Sequence, residues 1–279
     1  MLGGHKRNVL IKIGNPFYKN HFFKSSISEK YKHIVIDYNQ ALREGRYTQE
    51  FIDEVKENMT GQEFAILYEC KFPDDSLIDP SGYYRLLSDE KILNAKEIVD
   101  HNGDLRIGFD IGEGGDENVG ILRSNKYAEI IHVSKISDLM ATTKIIKDLI
   151  EKHKVKSYNC FIDATGIGAG VVARLKEIGV GVTGIKWAEK ASSDNYANLK
   201  AENYIRLEEW MRNDGKLQPT DDWNELMVIK WKKDTQDRIK IKTKEELRKE
   251  GVKSPNIADA FALTFNKSIE EDAPNIYII

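Results

Sequence analysis

Cysteine, proline and histidine are all scarce in this chain of 279 residues, which has two, six and six of them. Cys70 and Cys160 lie far apart and outside any C-x-x-C pattern, which excludes a disulfide framework and leaves two reduced thiols. His5, His21, His33, His101, His132 and His153 have no ligand spacing, so a zinc site is not expected. No apolar run approaches the ~18–20 residues that cross a bilayer, and no signal peptide is visible. A Gly-Lys-Ser/Thr triplet is missing throughout, which excludes a Walker A loop. The net charge of −3 is no advertisement for nucleic acid, so any basic surface must be local.

What is present is a regular α/β pattern. "NVLIKIGNP" and "HIVIDY" read as strands near the start, with a helix over "TQEFIDEVKENM". "KFPDDSLIDPSGYYR" carries two of the prolines and reads as a connector, followed by a short helix at "SDEKILNAKEIV". From Leu105 onward, "LRIGFDIG" is a strand ending in an acid. "ENVGILRSNKYAEIIHVSKI" is two strands joined by a Ser-Asn turn. A helix over "DLMATTKIIKDLIEKH", a buried strand "YNCFID", a helix from about 169 to 178 and a strand "VGVTGIKW" come next. A helix over about 196–213, a helical reading of "WNELMVIKWKKD", a strand "RIKIKT" and a terminal helix "SPNIADAFALTFNK" complete the order. Ser254 is the expected N-cap of that last helix, with Pro255 at its first position.

Three antiparallel strands, a helix, then β-α-β and terminal helices is the order of a ribonuclease-H-like mixed sheet flanked by helices. Right-handed crossovers place its fourth strand parallel to and beside its first. Asp110 closes the first strand and Asp163 the fourth, so the two carboxylates meet at one sheet edge although they lie 53 positions apart. Asp259, within the apolar helix "NIADAFALTF", is either a third member or a support of the helix N-terminus through its dipole. Clustered carboxylates repel unless a cation sits among them. Hard divalent ions such as Mg²⁺ or Mn²⁺ take oxygen ligands, and two such ions hydrolyse phosphodiesters. On this reading Asp110 bridges two ions while Asp163 and Asp259 each hold one.

"ATGIGAGV" after Asp163 is Gly-rich, but it reads G-x-G-x-G and lacks the dinucleotide fingerprint. Gly166, Gly168 and Gly170 either admit a DNA phosphate backbone or simply make a tight strand-to-helix turn. Glu113, Asp116 and Glu117 in "GEGGDEN" offer a further metal contact or a solvated acidic loop. Ten Lys/Arg face five Asp/Glu between Leu226 and Lys253, and Lys186, Lys190, Lys200 and Arg206 add to the same half. Such charge serves phosphate contacts or a solvated face.

"GFDIGEGGDENVGILR", "FIDATGIGAGVVARLKEIG", "NLKAENYIRLEEWMRNDGKL" and "DRIKIKTKEELRKEGVKSPNIADAFALTF" together resemble the C-terminal nuclease domain of tailed-phage large terminase subunits, over roughly residues 104–268. The resemblance implies an endonuclease that uses two Mg²⁺ or Mn²⁺ ions to cut concatemeric double-stranded viral DNA during packaging. It assigns Asp110, Asp163 and Asp259 as metal-binding catalytic acids and Lys244 as a basic residue near them. Where that family often carries an acid, this chain has Asn256, which is therefore not assigned as a ligand. "IGNPFYKNHFFKSS" and "GQEFAILYECKF" resemble the end of the packaging ATPase, with the P-loop and Walker B strands missing, so a fragment without ATPase activity is implied. The expected division is an ATPase remnant at 1–70, a linker at 71–103, the nuclease at 104–270 and a tail at 271–279. Implied partners are DNA, the portal protein and the small terminase subunit, in the host cytoplasm and without a membrane. Competing readings are a Holliday-junction resolvase, an RNase H, or a DNA- or partner-binding module without catalysis.

Overall fold

The computed structural model describes residues 10–16, 21–72, 81–112 and 116–267, and the chain divides into two compact units at Asp79/Pro80. Much of the connector around residues 73–80 and the tail after 267 therefore lie outside the described residues.

The first unit holds four short helices, α1 (His21–Ser26), α2 (Tyr38–Arg43), α3 (Gln49–Asn58) and α4 (Gly61–Leu67). Thr60 caps α4 in a capping box with Glu63, which satisfies two helix-end donors at once. Its core is small: Ala41, Ile52, Phe64 and Ile66 are buried beside a cluster of Tyr38, Phe64 and Tyr68 rings. The described parts of the two strands expected here form no strand, and Ile11, Ile13, Ile34, Val35 and Ile36 are exposed. Apolar alternation signals a strand, but the described residues offer these runs no neighbouring ladder.

In the second unit, β1 (Tyr84–Arg85) and α5 (Asp89–Asn94) precede β2 (Arg106–Asp110), β3 (Asn118–Arg123) and β4 (Tyr127–Ser134). Then follow α6 (Leu139–His153), β5 (Cys160–Asp163), α7 (Ile167–Glu177), β6 (Thr183–Ile185), α8 (Leu199–Arg212) and β7 (Lys216–Leu217). A 3-10 helix at Asp221–Val228, β8 (Lys230–Lys233), β9 (Ile239–Ile241), α9 (Lys244–Lys249) and α10 (Asn256–Leu263) complete it. The main sheet has the order β6-β5-β2-β3-β4-β7, with β2, β3 and β4 antiparallel and β5 parallel to β2. This is the expected ribonuclease-H-like mixed sheet. Its two faces are covered by different helices, α6 and α7 over one core cluster, α8 and α10 over another.

Two expectations need correction. "WNELMVIKWKKD" is not one helix: it is a 3-10 turn followed by β8, which pairs with β1 and β9 in a second, three-stranded sheet. Its apolar spacing suits either structure, and the two flanking strands decide it. Residues 81–103 do not behave as a linker, because Leu86, Leu87, Ile92 and Ala95 are buried in the core shared with α8 and α10.

Candidate active site

Asp110 and Asp163 are brought to one edge by backbone pairing alone. Phe109 lies opposite Ile162 in the parallel β2–β5 register, so the next residue on each strand emerges at the same end. Asp110 is 2% exposed, Asp163 is half-buried, and both line a cavity of about 750 Å³. Asp163 Oδ1 accepts from Thr165 N at 2.9 Å, which fixes the acid at the turn into α7.

Asp259 reaches the same place from α10. That helix lies against β2 so closely that a Cβ at Gly108 would stand 1.9 Å from the Ala260 carbonyl oxygen. Only glycine permits this approach. Pro255, the residue that begins the helix, supplies no side-chain cap, and neither does Ser254. Instead Glu225, from the 3-10 helix, accepts from Ala258 N at 2.9 Å. The expected N-cap is thus replaced by a carboxylate 33 positions away. Ser254 is engaged elsewhere, donating to Asp116 Oδ2 at 3.0 Å, while Arg248 also contacts Asp116 at 3.4 Å. Asp116, one of the acids of the "GEGGDEN" loop, is therefore tied to the cavity wall, and Glu113 lies outside the described residues.

The three acids meet two lysines. Asp259 is fully buried; its Oδ1 accepts from Tyr204 OH at 2.6 Å and pairs with Lys200 Nζ at 2.8 Å. Lys244 Nζ lies 2.9 Å from Asp259 Oδ2 and 3.7 Å from Asp110 Oδ2, so one ammonium stands between the two carboxylates. Lys244 is the partner of Asp259 Oδ2, while Tyr204 and Lys200 take Oδ1. Asn256 Oδ1, one helical turn before Asp259 on α10, is buried without a hydrogen-bond donor among the described residues, and Asn256 lines the cavity.

Burial and charge drive the two innermost acids in opposite directions. Burial raises the Asp110 carboxyl to about 7, helped by the charges of Asp259 and Asp163 and opposed by Lys244. Asp259 is equally buried, but Lys200 and Lys244 outweigh that and hold it at about 2. The Lys244 ammonium is held above its ordinary range: burial works against it, and Asp259 and Asp110 prevail. Burial also lifts Glu225 to about 7 against the N–H groups of Ala258 and Ile257.

The structure thus brings together all four residues expected from sequence: Asp110, Asp163, Asp259 and Lys244. Among the described residues no three His, Cys, Asp or Glu side chains stand ready-made around a metal position. Asp259 is turned toward the two lysines and Tyr204 instead. Sequence reasoning gave Lys200 only as part of a basic half, and missed Tyr204, Glu225 and Gly108. Lys200 and Tyr204 are four apart on α8 and so share a face, which was a readable signal. The glycines after Asp163 have a structural use. A Cβ at Gly168 would stand 1.9 Å from the Asp163 carbonyl oxygen, and Gly166 has φ +53° at the start of α7. Lys186, Trp187, Lys200, Lys242 and Arg248 line the remaining walls of the cavity.

No protein-family model matches the sequence, and no curated protein matches it. Among solved structures, the nuclease domain of the large terminase subunit gp2 of bacterial virus Sf6 is similar, with a TM-score of 0.55 at 18% identity, covering 65% of this chain and 98% of that one. A variant of that domain with manganese and beta-thujaplicinol gives 0.54 at 18% identity, covering 64% and 97%. The same variant with calcium gives 0.54 at 17% identity, covering 64% and 98%. At such identity the likeness establishes a shared fold, that of terminase large-subunit nuclease domains.

Proposed function

We propose that this chain is a divalent-metal-dependent endodeoxyribonuclease of the large-terminase type, which cuts concatemeric double-stranded viral DNA during genome packaging. The observation that carries the reading is the convergence of Asp110, Asp163 and Asp259 on one edge of this fold, at a cavity walled by basic side chains. The donor set suits a hard cation. It is all oxygen, without thiolate or imidazole, and one buried oxygen at its rim, Asn256 Oδ1, has no hydrogen-bond donor among the described residues. Manganese and calcium accompany the similar Sf6 domains. Asp110, Asp163 and Asp259 would hold the ions. Two ions in such a site supply an activated water and stabilise the leaving oxygen of a phosphodiester.

The chain's own residues supply the remainder. Lys244 holds the cation position between Asp110 and Asp259 and keeps the two acids from repelling one another. Tyr204 and Lys200 orient Asp259 from the α8 side, and Glu225 fixes the helix that carries it. Lys186 and Arg248 on the cavity walls offset phosphate charge. No helix among the described residues is long and apolar enough to cross a membrane. A portal protein and a small terminase subunit in the host cytoplasm fit this reading as partners. The first unit fits it as the end of a packaging ATPase, on the resemblance of its sequence segments alone.

Plasmid cleavage with Mg²⁺, with Mn²⁺ and with EDTA tests the reading. Wild type should nick and linearise only with metal, and Asp110→Asn and Asp163→Asn should each abolish cutting while melting cooperatively. Cutting by both variants at the wild-type rate overturns the site. Preference for a four-way junction or an RNA–DNA hybrid over linear duplex would reassign the substrate.

A further inference from the structure

The basic residues between Leu226 and Lys253 are not equivalent, and their pairing sorts them. Arg238 is held by Asp234 and Lys233 by Asp237 at the hairpin tip. Lys230 and Lys242 share the Glu250 carboxylate. Lys232 and Lys240 are different. They lie directly opposite one another in the β8–β9 register, both half-buried, on the face turned away from Trp231, Ile239 and Ile241. Like charges in that position are destabilising. Lys232, Lys242 and Lys240 all crowd one phenol ring, with Nζ atoms 4.0, 4.7 and 5.9 Å from the Tyr83 centroid. The ring face offers each cation a modest attraction but no counter-charge. The nearby acid, Glu246, accepts from Tyr83 OH at 2.8 Å and from Thr243 N at 2.9 Å; its charge acts on Lys240, and one carboxylate faces three ammoniums there.

This lysine face is continuous with the proposed active site. Lys242 belongs to it and also lines the cavity, and Lys244 follows two residues later. Successive lysine rows, Lys232/Lys240 and then Lys230/Lys242, are two residues apart on each strand, ~6.7 Å. Every second phosphate of one B-DNA strand lies ~6.8 Å further along the axis, so the rows match alternate phosphates.

We propose that the outer face of the β1-β8-β9 sheet is a docking track for the phosphate backbone of duplex DNA beside the cleavage site, with Lys232 and Lys240 as its contacts. The proposal rests on the nuclease reading. Its anion is the continuous phosphodiester of the duplex, and the crowded ammoniums are held ready for it.

Binding of a fluorescent 30-base-pair duplex to the full chain in EDTA, followed by anisotropy across a salt series, tests this. Lys232→Gln/Lys240→Gln should weaken binding about tenfold and lower the slope of log K against log salt by ~1.8, two phosphate contacts. Its melting temperature should hold or rise, because a like-charge pair is gone. The rate at saturating DNA with Mn²⁺ should stay at the wild-type value while KM rises, and Lys232→Arg/Lys240→Arg should keep wild-type affinity. If wild type binds and cuts duplex DNA and the Gln pair matches it in affinity and salt slope, the track is refuted while the nuclease stands. If wild type neither binds nor cuts duplex with metal, the nuclease reading fails and the track with it.

Discussion

The two ends of α10 are built on opposite plans. At its C-terminal end, Arg123 donates to Thr264 Oγ1 and to the Thr264 carbonyl, both at 2.8 Å, and lies 4.1 Å over the Phe265 ring. Arg206 reaches the Phe265 carbonyl at 3.1 Å and Arg106 the Asn266 carbonyl at 2.8 Å. Three guanidinium groups thus meet the negative end of the helix and its orphan carbonyls. At the N-terminal end, Asn256 Oδ1 has no hydrogen-bond donor among the described residues, and a lysine stands between two buried acids. One end is closed by guanidinium groups on main-chain carbonyls; the other is held by lysines on side-chain carboxylates, at the cavity where the proposed reading puts the ions.

The largest expected effect is at the satisfied end. Arg123→Ala removes a buried cation and both bonds to Thr264, and should cost about 3–4 kcal/mol in chemical denaturation. The loss should be the same with EDTA and with Mn²⁺. At the other end, Lys244→Gln should cost about 2–3 kcal/mol in EDTA, because it leaves Asp110 and Asp259 facing one another. Mn²⁺ should restore most of that loss in a melting experiment, and an identical deficit with and without metal would erase the contrast. Glu225→Ala should cost about 1–2 kcal/mol as a lost helix cap, and Glu225→Gln much less, since the amide oxygen still accepts from Ala258.

The smallest effect is a pH dependence away from both ends. Burial holds His132, on β4, below the ordinary histidine value of 6.5. Above that value both folded and unfolded chains are neutral there, and nothing is lost. As pH falls below 6.5 the unfolded chain takes the proton first, so stability declines until the folded pKa is passed, at no more than about 1.4 kcal/mol per pH unit. His132→Asn should flatten this part of a melting-temperature profile between pH 7 and 5, and an unchanged profile would place the titration elsewhere.

The paired acids were legible in the sequence because strand ends and right-handed crossovers are local rules with long-range consequences. Asp110 and Asp163 each close an apolar run, and topology does the rest. Asp259 was legible as an anomaly, an acid in an apolar helix. Glu225 was not, since nothing in "WNELMV" shows that it caps a helix at an N–H 33 positions later. The same stretch misled on β8, whose partners lie in β1 and β9. The strand readings at the start failed for a different reason: "HIVIDY" has the right alternation, but pairing is a property of neighbours.

Gly108 acts as a spacer of zero thickness. Because main chain rests on main chain there, a helix-to-sheet distance and not a side-chain rotamer sets the reach between Asp110 and Asp259. Alanine at that position would wedge the two layers apart by about the width of a methyl group, two residues before Asp110. On the proposed reading, that widening would favour larger, more loosely coordinated ions over Mg²⁺, whose octahedron tolerates little slack. The choice of ion would then be tuned by a residue that touches none.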